Sequence, residues 1–128
     1  MFLASVIGGM AKQYTLQYKS FRRADGRRLI SPPAFLGTKL EAFHGRGAGD
    51  FLASHDLEDI ITVVDGRPEL SKEVRATSPQ LREYLVAQVR ALLQNENFVE
   101  ALPAHLPGDI ASQARVPELL NRLRLLTQ

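Results

Sequence analysis

The chain has 128 residues, of which 45% are apolar and 23% charged, with a formal net charge of +2 at pH 7 and no cysteine. This balance is typical of one globular domain, here residues 1–128, and argues against disorder along the whole chain. The lack of cysteine excludes disulfides, thiolate metal sites and cysteine nucleophiles. No apolar run approaches the roughly 20 residues that span a bilayer, and no secretory signal begins the chain. We therefore expect a cytoplasmic protein with no membrane partner.

Positive charge is concentrated at the start of the chain. Residues 1–30 hold six basic side chains and one acidic side chain, a net charge of +5. Such a segment can contact phosphate, which would suit a helical domain that binds nucleic acid. It can equally be an edge strand or an arm in which Lys and Arg discourage pairing with other chains. The basic residues are Lys12, Lys19, Arg22, Arg23, Arg27 and Arg28.

A short hairpin is predicted within this basic leader, residues 1–28, and just beyond it. Tyr14, Leu16 and Tyr18 alternate with polar residues, which is the two-residue period of a strand. Asp25-Gly26 is typical of a tight turn, and Leu29-Ile30 can form the second strand. Two strands alone are marginally stable in water, so this hairpin needs covering helices or further strands.

From Ser31 onward the apolar residues recur at helical spacing. Ser31, Ser54 and Ser78 each precede such a run, as helix-capping residues do. The first helix should stop at Gly45, with a flexible loop over residues 45–50, and Pro117 should kink or split the last segment. The predicted fold class is therefore α+β, mostly α: a short N-terminal β-hairpin followed by a bundle of five to six helices.

Three side chains are candidates for chemistry, and each has a plain structural alternative. Asp56 lies at the edge of a predicted buried stripe, but acidic residues in a first helical turn also complement the helix dipole. Lys39 is flanked by apolar positions, where it either reaches for solvent or binds an anion. Arg46, in the glycine-rich stretch, can form a two-pronged contact to phosphate or lie in a simple linker. Asp59 lies one turn after Asp56 on the same flank.

These residues occur together in a string that resembles the AbiEii/AbiGii-type nucleotidyltransferases. That family is a bacterial toxin-type branch of the polymerase-beta-like nucleotidyltransferase superfamily. The resemblance covers about residues 29–128, is most specific in residues 31–67, and does not extend to the leader. The segments that carry it are Ser31–Phe43, Gly45–Gly47, Ser54–Ile60, Val64–Arg67, Ala101–Pro107 and Ala111–Gln113.

The resemblance implies a fold and a chemistry. The family's fold is a small mixed sheet with a helical C-terminal part, and its members transfer a nucleoside monophosphate from a nucleoside triphosphate using Mg²⁺. It implies that Lys39 contacts the triphosphate, that Arg46 is a further phosphate contact, and that Asp56 binds metal or activates the acceptor hydroxyl. Asp59 and Ser54 would support them. An antitoxin protein or an RNA acceptor would be a partner.

One departure from the family is serious. No Asp-x-Asp pair, the family's metal-binding motif, occurs anywhere in the chain. We therefore expect a nucleotidyltransferase-like protein truncated at its N-terminus, with residues 29–128 as the C-terminal half of a partial nucleotidyltransferase fold. Whether the chain is an enzyme is left open. The alternative is a non-catalytic helical remnant that binds a protein partner such as an antitoxin, for which the leucine-rich last helix is a candidate surface.

Overall fold

A computed structural model describes residues 30–47 and 49–128, and this part of the chain is mostly helical with no β-strand. The predicted hairpin and the basic leader lie outside the described residues, apart from Ile30. The helices are α1 Pro32–Ala42, α2 His55–Gly66, α3 Leu70–Ala76, α4 Pro79–Leu93, α5 Glu96–Ala101, α6 Ile110–Gln113 and α7 Val116–Leu125. A π-helical turn, Phe43–Gly47, continues α1, and a 3-10 helix, Leu102–His105, continues α5.

Serine hydroxyls cap three of the helices, which confirms the predicted starts. Ser31 Oγ accepts a hydrogen bond from the Ala34 amide at 3.2 Å, at the start of α1. Ser54 Oγ accepts one from the Leu57 amide at 3.2 Å, at the start of α2. Ser78 caps α4 in the same way. Each cap satisfies an amide that has no partner within its own helix.

The core lies between α1, α2, α4 and α7, with α1 packed on α2 and α4, and α7 packed on the same two helices. Each of the four contributes an apolar stripe at helical spacing, which is why they pack around a common centre. The most deeply buried members of these stripes are Leu36, Leu40, Leu57, Ile60, Ile61, Val64, Leu81, Leu85, Leu119 and Leu123.

The first helix does not end in a flexible loop as predicted. Its backbone continues through the π-helical turn Phe43–Gly47, so Arg46 is carried on helical backbone rather than on a linker. Phe43 is buried, and its ring lies 5.8 Å from that of Phe51. This packing holds the turn against the body of the protein. Gly49, the next described residue after the turn, has a φ of +87°, which glycine adopts without strain.

The last segment splits, but one turn before Pro117. α6 ends at Gln113, α7 begins at Val116, and Pro117 lies in the first turn of α7, where its missing amide costs no helical hydrogen bond. Leu119 and Leu123 are at most 1% exposed. The apolar face of this helix therefore belongs to the core and is not a free docking surface.

Arginines of α7 and of the turn before it bind the C-terminal end of α2. Arg122 Nη1 donates to the carbonyl oxygens of Val64 and Asp65, and Arg115 forms an ion pair with the Asp65 carboxylate at 3.0 Å. Carbonyls at this end have no helical partners and carry partial negative charge. The Arg122 guanidinium donates hydrogen bonds to them, and its positive charge offsets the negative end of the helix dipole. The opposite end of α2, with Asp56, faces α1. No helix in the described ranges is long and apolar enough to cross a membrane.

Candidate functional site

The packing of α1 on α2 brings Lys39 close to two carboxylates. Lys39 Nζ lies 2.8 Å from Asp59 Oδ2 and 3.7 Å from Asp56 Oδ1. Asp56 and Asp59 are three residues apart, so they share one flank of α2 and both meet the lysine. The structure therefore places the ammonium and the carboxylate that the sequence singled out against each other.

Arg46 completes the cluster from the π-helical turn. Its Nε donates to Asp56 Oδ2 at 2.9 Å, and its Nη2 donates to Asp56 Oδ1 at 2.8 Å. Two parallel hydrogen bonds of this kind are the strongest arrangement that arginine forms with a carboxylate. Asp56 thus has both oxygens engaged by Arg46, and Lys39 is its second cation. We call Lys39, Arg46, Asp56 and Asp59 the charged cluster.

Exposure differs sharply within the charged cluster. The Asp56 side chain is 6% exposed and that of Lys39 is 24% exposed, whereas Asp59 is 46% and Arg46 is 70% exposed. Asp56 is therefore covered by its cations, while the outer face of Arg46 stands in solvent. A ligand that approaches from solvent meets the guanidinium first.

The contacts within the charged cluster shift the pKa values of Asp56 and Lys39, each in the direction that favours its charged form. Hydrogen bonds from Arg46 hold the pKa of Asp56 below its ordinary value, although burial opposes this, and Lys39 adds to the lowering. The hydrogen bond to Asp59 raises the pKa of Lys39. Asp56 and Lys39 are therefore ionised near neutral pH.

Phe35 is a member of the site that the sequence did not indicate. Lys39 Nζ lies 5.5 Å from the centre of the Phe35 ring, within the range of a cation–π contact. The two residues are four apart on α1, and the spacing alone could have suggested the contact. The ring and Asp59 together hold the ammonium beside Asp56.

Ser54 and the histidines have other roles. The Ser54 hydroxyl caps α2 and accepts from an amide of that helix, so its support of Asp56 is through the position of the helix. His55 is 93% exposed and lies 3.3 Å from Glu58. His44 contacts Gln88, and His105 contacts the Phe51 carbonyl oxygen, so the histidines do not converge.

The charged cluster does not by itself suit Mg²⁺. Within the described part of the chain, no three His, Cys, Asp or Glu side chains are grouped so that they could hold a metal ion. Both oxygens of Asp56 already accept from Arg46, and a hard divalent cation needs several oxygen ligands. The predicted metal role of Asp56 therefore lacks partner ligands among these residues, and Mg²⁺ stays a prediction.

A cleft of about 420 Å³ lies between α5 and the loop that runs from Gly49 to the start of α2. It is lined by residues of the loop and of α5 and contains no member of the charged cluster. The cluster is thus a solvent-facing surface site, not the floor of this cleft. The lining residues are Gly49, Asp50, Phe51, Leu52, Asn97, Glu100 and Ala101.

The lowered pKa of Asp56 predicts an acid-sensitive contribution to stability. Because the folded pKa lies below the ordinary 3.8, the contribution is complete above that pH and is lost as pH falls through the folded pKa. We expect the difference in free energy of unfolding between the wild type and Asp56→Asn to be constant above about pH 5 and to shrink as the pH falls below 3.8. Urea denaturation at each pH measures it, and a difference that does not vary with pH would contradict it.

Comparisons with protein-family models, with curated proteins and with solved structures found no match for this chain. The resemblance to the AbiEii/AbiGii-type nucleotidyltransferases therefore stays a prediction from the sequence strings quoted above.

Proposed function

We propose that this chain is a nucleotidyltransferase-type protein that binds the phosphates of a nucleoside triphosphate through Lys39 and Arg46. The observation that carries the proposal is the convergence of these two cations on one covered carboxylate, Asp56, at 3.7 and 2.8 Å. The cations come from different elements, α1 and the π-helical turn, and the positions are those that the family resemblance selects.

The exposure of the cluster supports an exchange of partners with phosphate. Arg46 is mostly in solvent, and its planar fork matches two phosphate oxygens as well as it matches a carboxylate. Lys39 has three N–H donors, so it can contact a phosphate oxygen while it stays beside Asp59 and Asp56. Lys39 then acts as a compact charge that offsets phosphate repulsion.

Asp56 is proposed to face the hydroxyl that receives the nucleotide. Its carboxylate is ionised at neutral pH and lies beside the cations that would hold the phosphates, so it can accept a hydrogen bond from an incoming hydroxyl. A single carboxylate so placed can orient and polarise the acceptor. Among the described residues, no group of three or more His, Cys, Asp or Glu side chains could hold the Mg²⁺ that the resemblance implies.

The alternative function, a non-catalytic remnant that docks on a protein partner, has no specific observation in its favour. The leucine face of α7, which was the candidate surface, is buried in the core. An antitoxin or an RNA acceptor as partner also stays a prediction. For these reasons nucleotide binding is the function that we propose.

Calorimetric titration of the full chain with ATP, GTP, CTP and UTP, with and without Mg²⁺, tests this proposal. We expect saturable binding of at least one triphosphate, weaker binding of the matching monophosphate, and an affinity that falls as salt is added, because charge dominates the contact. If triphosphate and monophosphate produce no heat that saturates, the proposal is wrong.

A further inference from the structure

The contact between Arg46 and Asp56 closes the carboxylate against other partners. Both oxygens of Asp56 accept from Arg46, at 2.8 and 2.9 Å, and the side chain is only 6% exposed. Arg46 occupies one acceptor position on each oxygen, and because so little of the carboxylate is exposed, a substrate hydroxyl gains full access only when the guanidinium moves. The site as folded is therefore in a blocked state.

The surroundings of Arg46 allow its contact with Asp56 to break. Among the described residues, the guanidinium hydrogen-bonds to Asp56 alone, and the Arg46 side chain is 70% exposed. A Cβ added to the neighbouring Gly45 would meet no described atom within 4 Å, and Gly49, with its positive φ, follows the turn. Movement of Arg46 therefore meets little steric resistance.

Opening does not leave a buried charge alone. Lys39 Nζ stays 3.7 Å from Asp56 and is held there by Asp59 and by the Phe35 ring. A buried carboxylate is costly mainly when its last cation leaves. Lys39 is therefore held beside Asp56, while Arg46 is largely exposed. Arg46 can exchange Asp56 for another anion, and Lys39 still neutralises the carboxylate.

We propose that Arg46 is a switch that leaves Asp56 for the phosphates of the incoming nucleotide, so that Asp56 becomes accessible only when a triphosphate is bound. This inference rests on the proposed nucleotide binding and adds the order in which the two substrates bind. The phosphates engage first, and the acceptor hydroxyl gains access to the carboxylate second. Asp56 is then protected from water and from chance ligands while the site is empty.

The switch makes a counterintuitive prediction about ATP affinity without metal. In the wild type, phosphate must compete with Asp56 for Arg46, so Asp56→Asn should tighten ATP binding in EDTA by about fivefold. Arg46→Ala should weaken it. In the Arg46→Ala background, Asp56→Asn should tighten ATP binding less than it does in the wild type, because the competition for Arg46 no longer exists.

A matched control is present in the same chain. Arg67 donates to Glu73 through two hydrogen bonds of 2.7 Å, in the same bidentate geometry. It follows the far end of α2, about 16 Å of helix axis from Asp56 at 1.5 Å per residue. Glu73→Gln removes the bidentate carboxylate partner of an arginine, as Asp56→Asn does, although Glu69 stays 3.5 Å from Arg67 Nε. It should leave ATP affinity unchanged.

A second measurement on the unaltered chain covers the case in which a variant fails to fold. The Arg46 Nε–H resonance of the ¹⁵N-labelled protein should shift on addition of ATP, while that of Arg67 should not. If ATP binds and is lost in Lys39→Ala, but Asp56→Asn does not tighten binding and the Arg46 resonance does not move, the switch is wrong and nucleotide binding stands. If ATP binds to no form of the chain, both proposals are wrong.

Discussion

Replacement of Phe98 by alanine is expected to lower the free energy of unfolding by about 3–5 kcal/mol, the usual cost of removing a fully buried phenylalanine. Phe98 lies on α5 and has no exposed surface. Its ring packs edge-on against that of Phe51, at 6.2 Å between ring centres, and Phe51 packs on Phe43. The row of rings joins α5 to the turn that carries Arg46.

The same substitution should therefore disturb the charged cluster from a distance. Loss of Phe98 removes the support of Phe51, and with it the support of the turn that aims Arg46 at Asp56. Urea denaturation gives the stability change, and Val99→Ala is the control, since Val99 is a neighbour that is only partly buried. A loss smaller than about 1 kcal/mol for Phe98→Ala, the average for any substitution, would show that this row of rings is not a structural support.

The second large effect is the loss of nucleotide affinity that we expect when Lys39 is replaced by alanine. Lys39→Ala should weaken nucleotide binding about tenfold or more, because hydrogen bonds to charged groups contribute about 1.5–3 kcal/mol each. The stability of the fold should change little, since Asp59, the nearest partner of Lys39, is nearly half exposed and can be hydrated. Lys39→Ala should therefore lower the nucleotide affinity and leave the free energy of unfolding nearly unchanged.

Lys72 provides the control for charge. It is exposed on α3, and Lys72→Ala changes the net charge by the same amount as Lys39→Ala. If calorimetry gives equal losses of ATP affinity for both variants, the effect is one of overall charge and not of the charged cluster. A specific site requires that only the Lys39 variant lose binding.

Much of the helical architecture could be predicted because its signals are local. A serine before an apolar run marks the start of α1, α2 and α4, and the stripe of α4 at Leu81, Leu85 and Val89 is buried as expected. Capping and periodicity depend only on residues within a few positions of each other. The predicted N-terminal hairpin, by contrast, lies outside the described residues and stays a prediction.

The site could be predicted only in part, because its contacts join separate elements. The spacing of Asp56 and Asp59 puts both on one flank of α2, but it does not say which helix faces that flank. The bidentate contact of Arg46 depends on the π-helical turn, whose first residue, Phe43, packs on Phe51. No local pattern in the glycine-rich stretch reveals that packing, so the sequence indicated a loop and a phosphate contact where the structure has an arginine bound to aspartate.

The most direct test of the central claim is a map of where a nucleotide binds. The ¹⁵N-labelled chain is titrated with ATP, and the shift of every assigned resonance is followed. Binding through the charged cluster predicts that the largest changes lie at Lys39, at Arg46 and at the start of α2 around Asp56. Changes centred instead on Arg115 and Arg122 at the other end of α2, or no changes at saturating ATP, would contradict it.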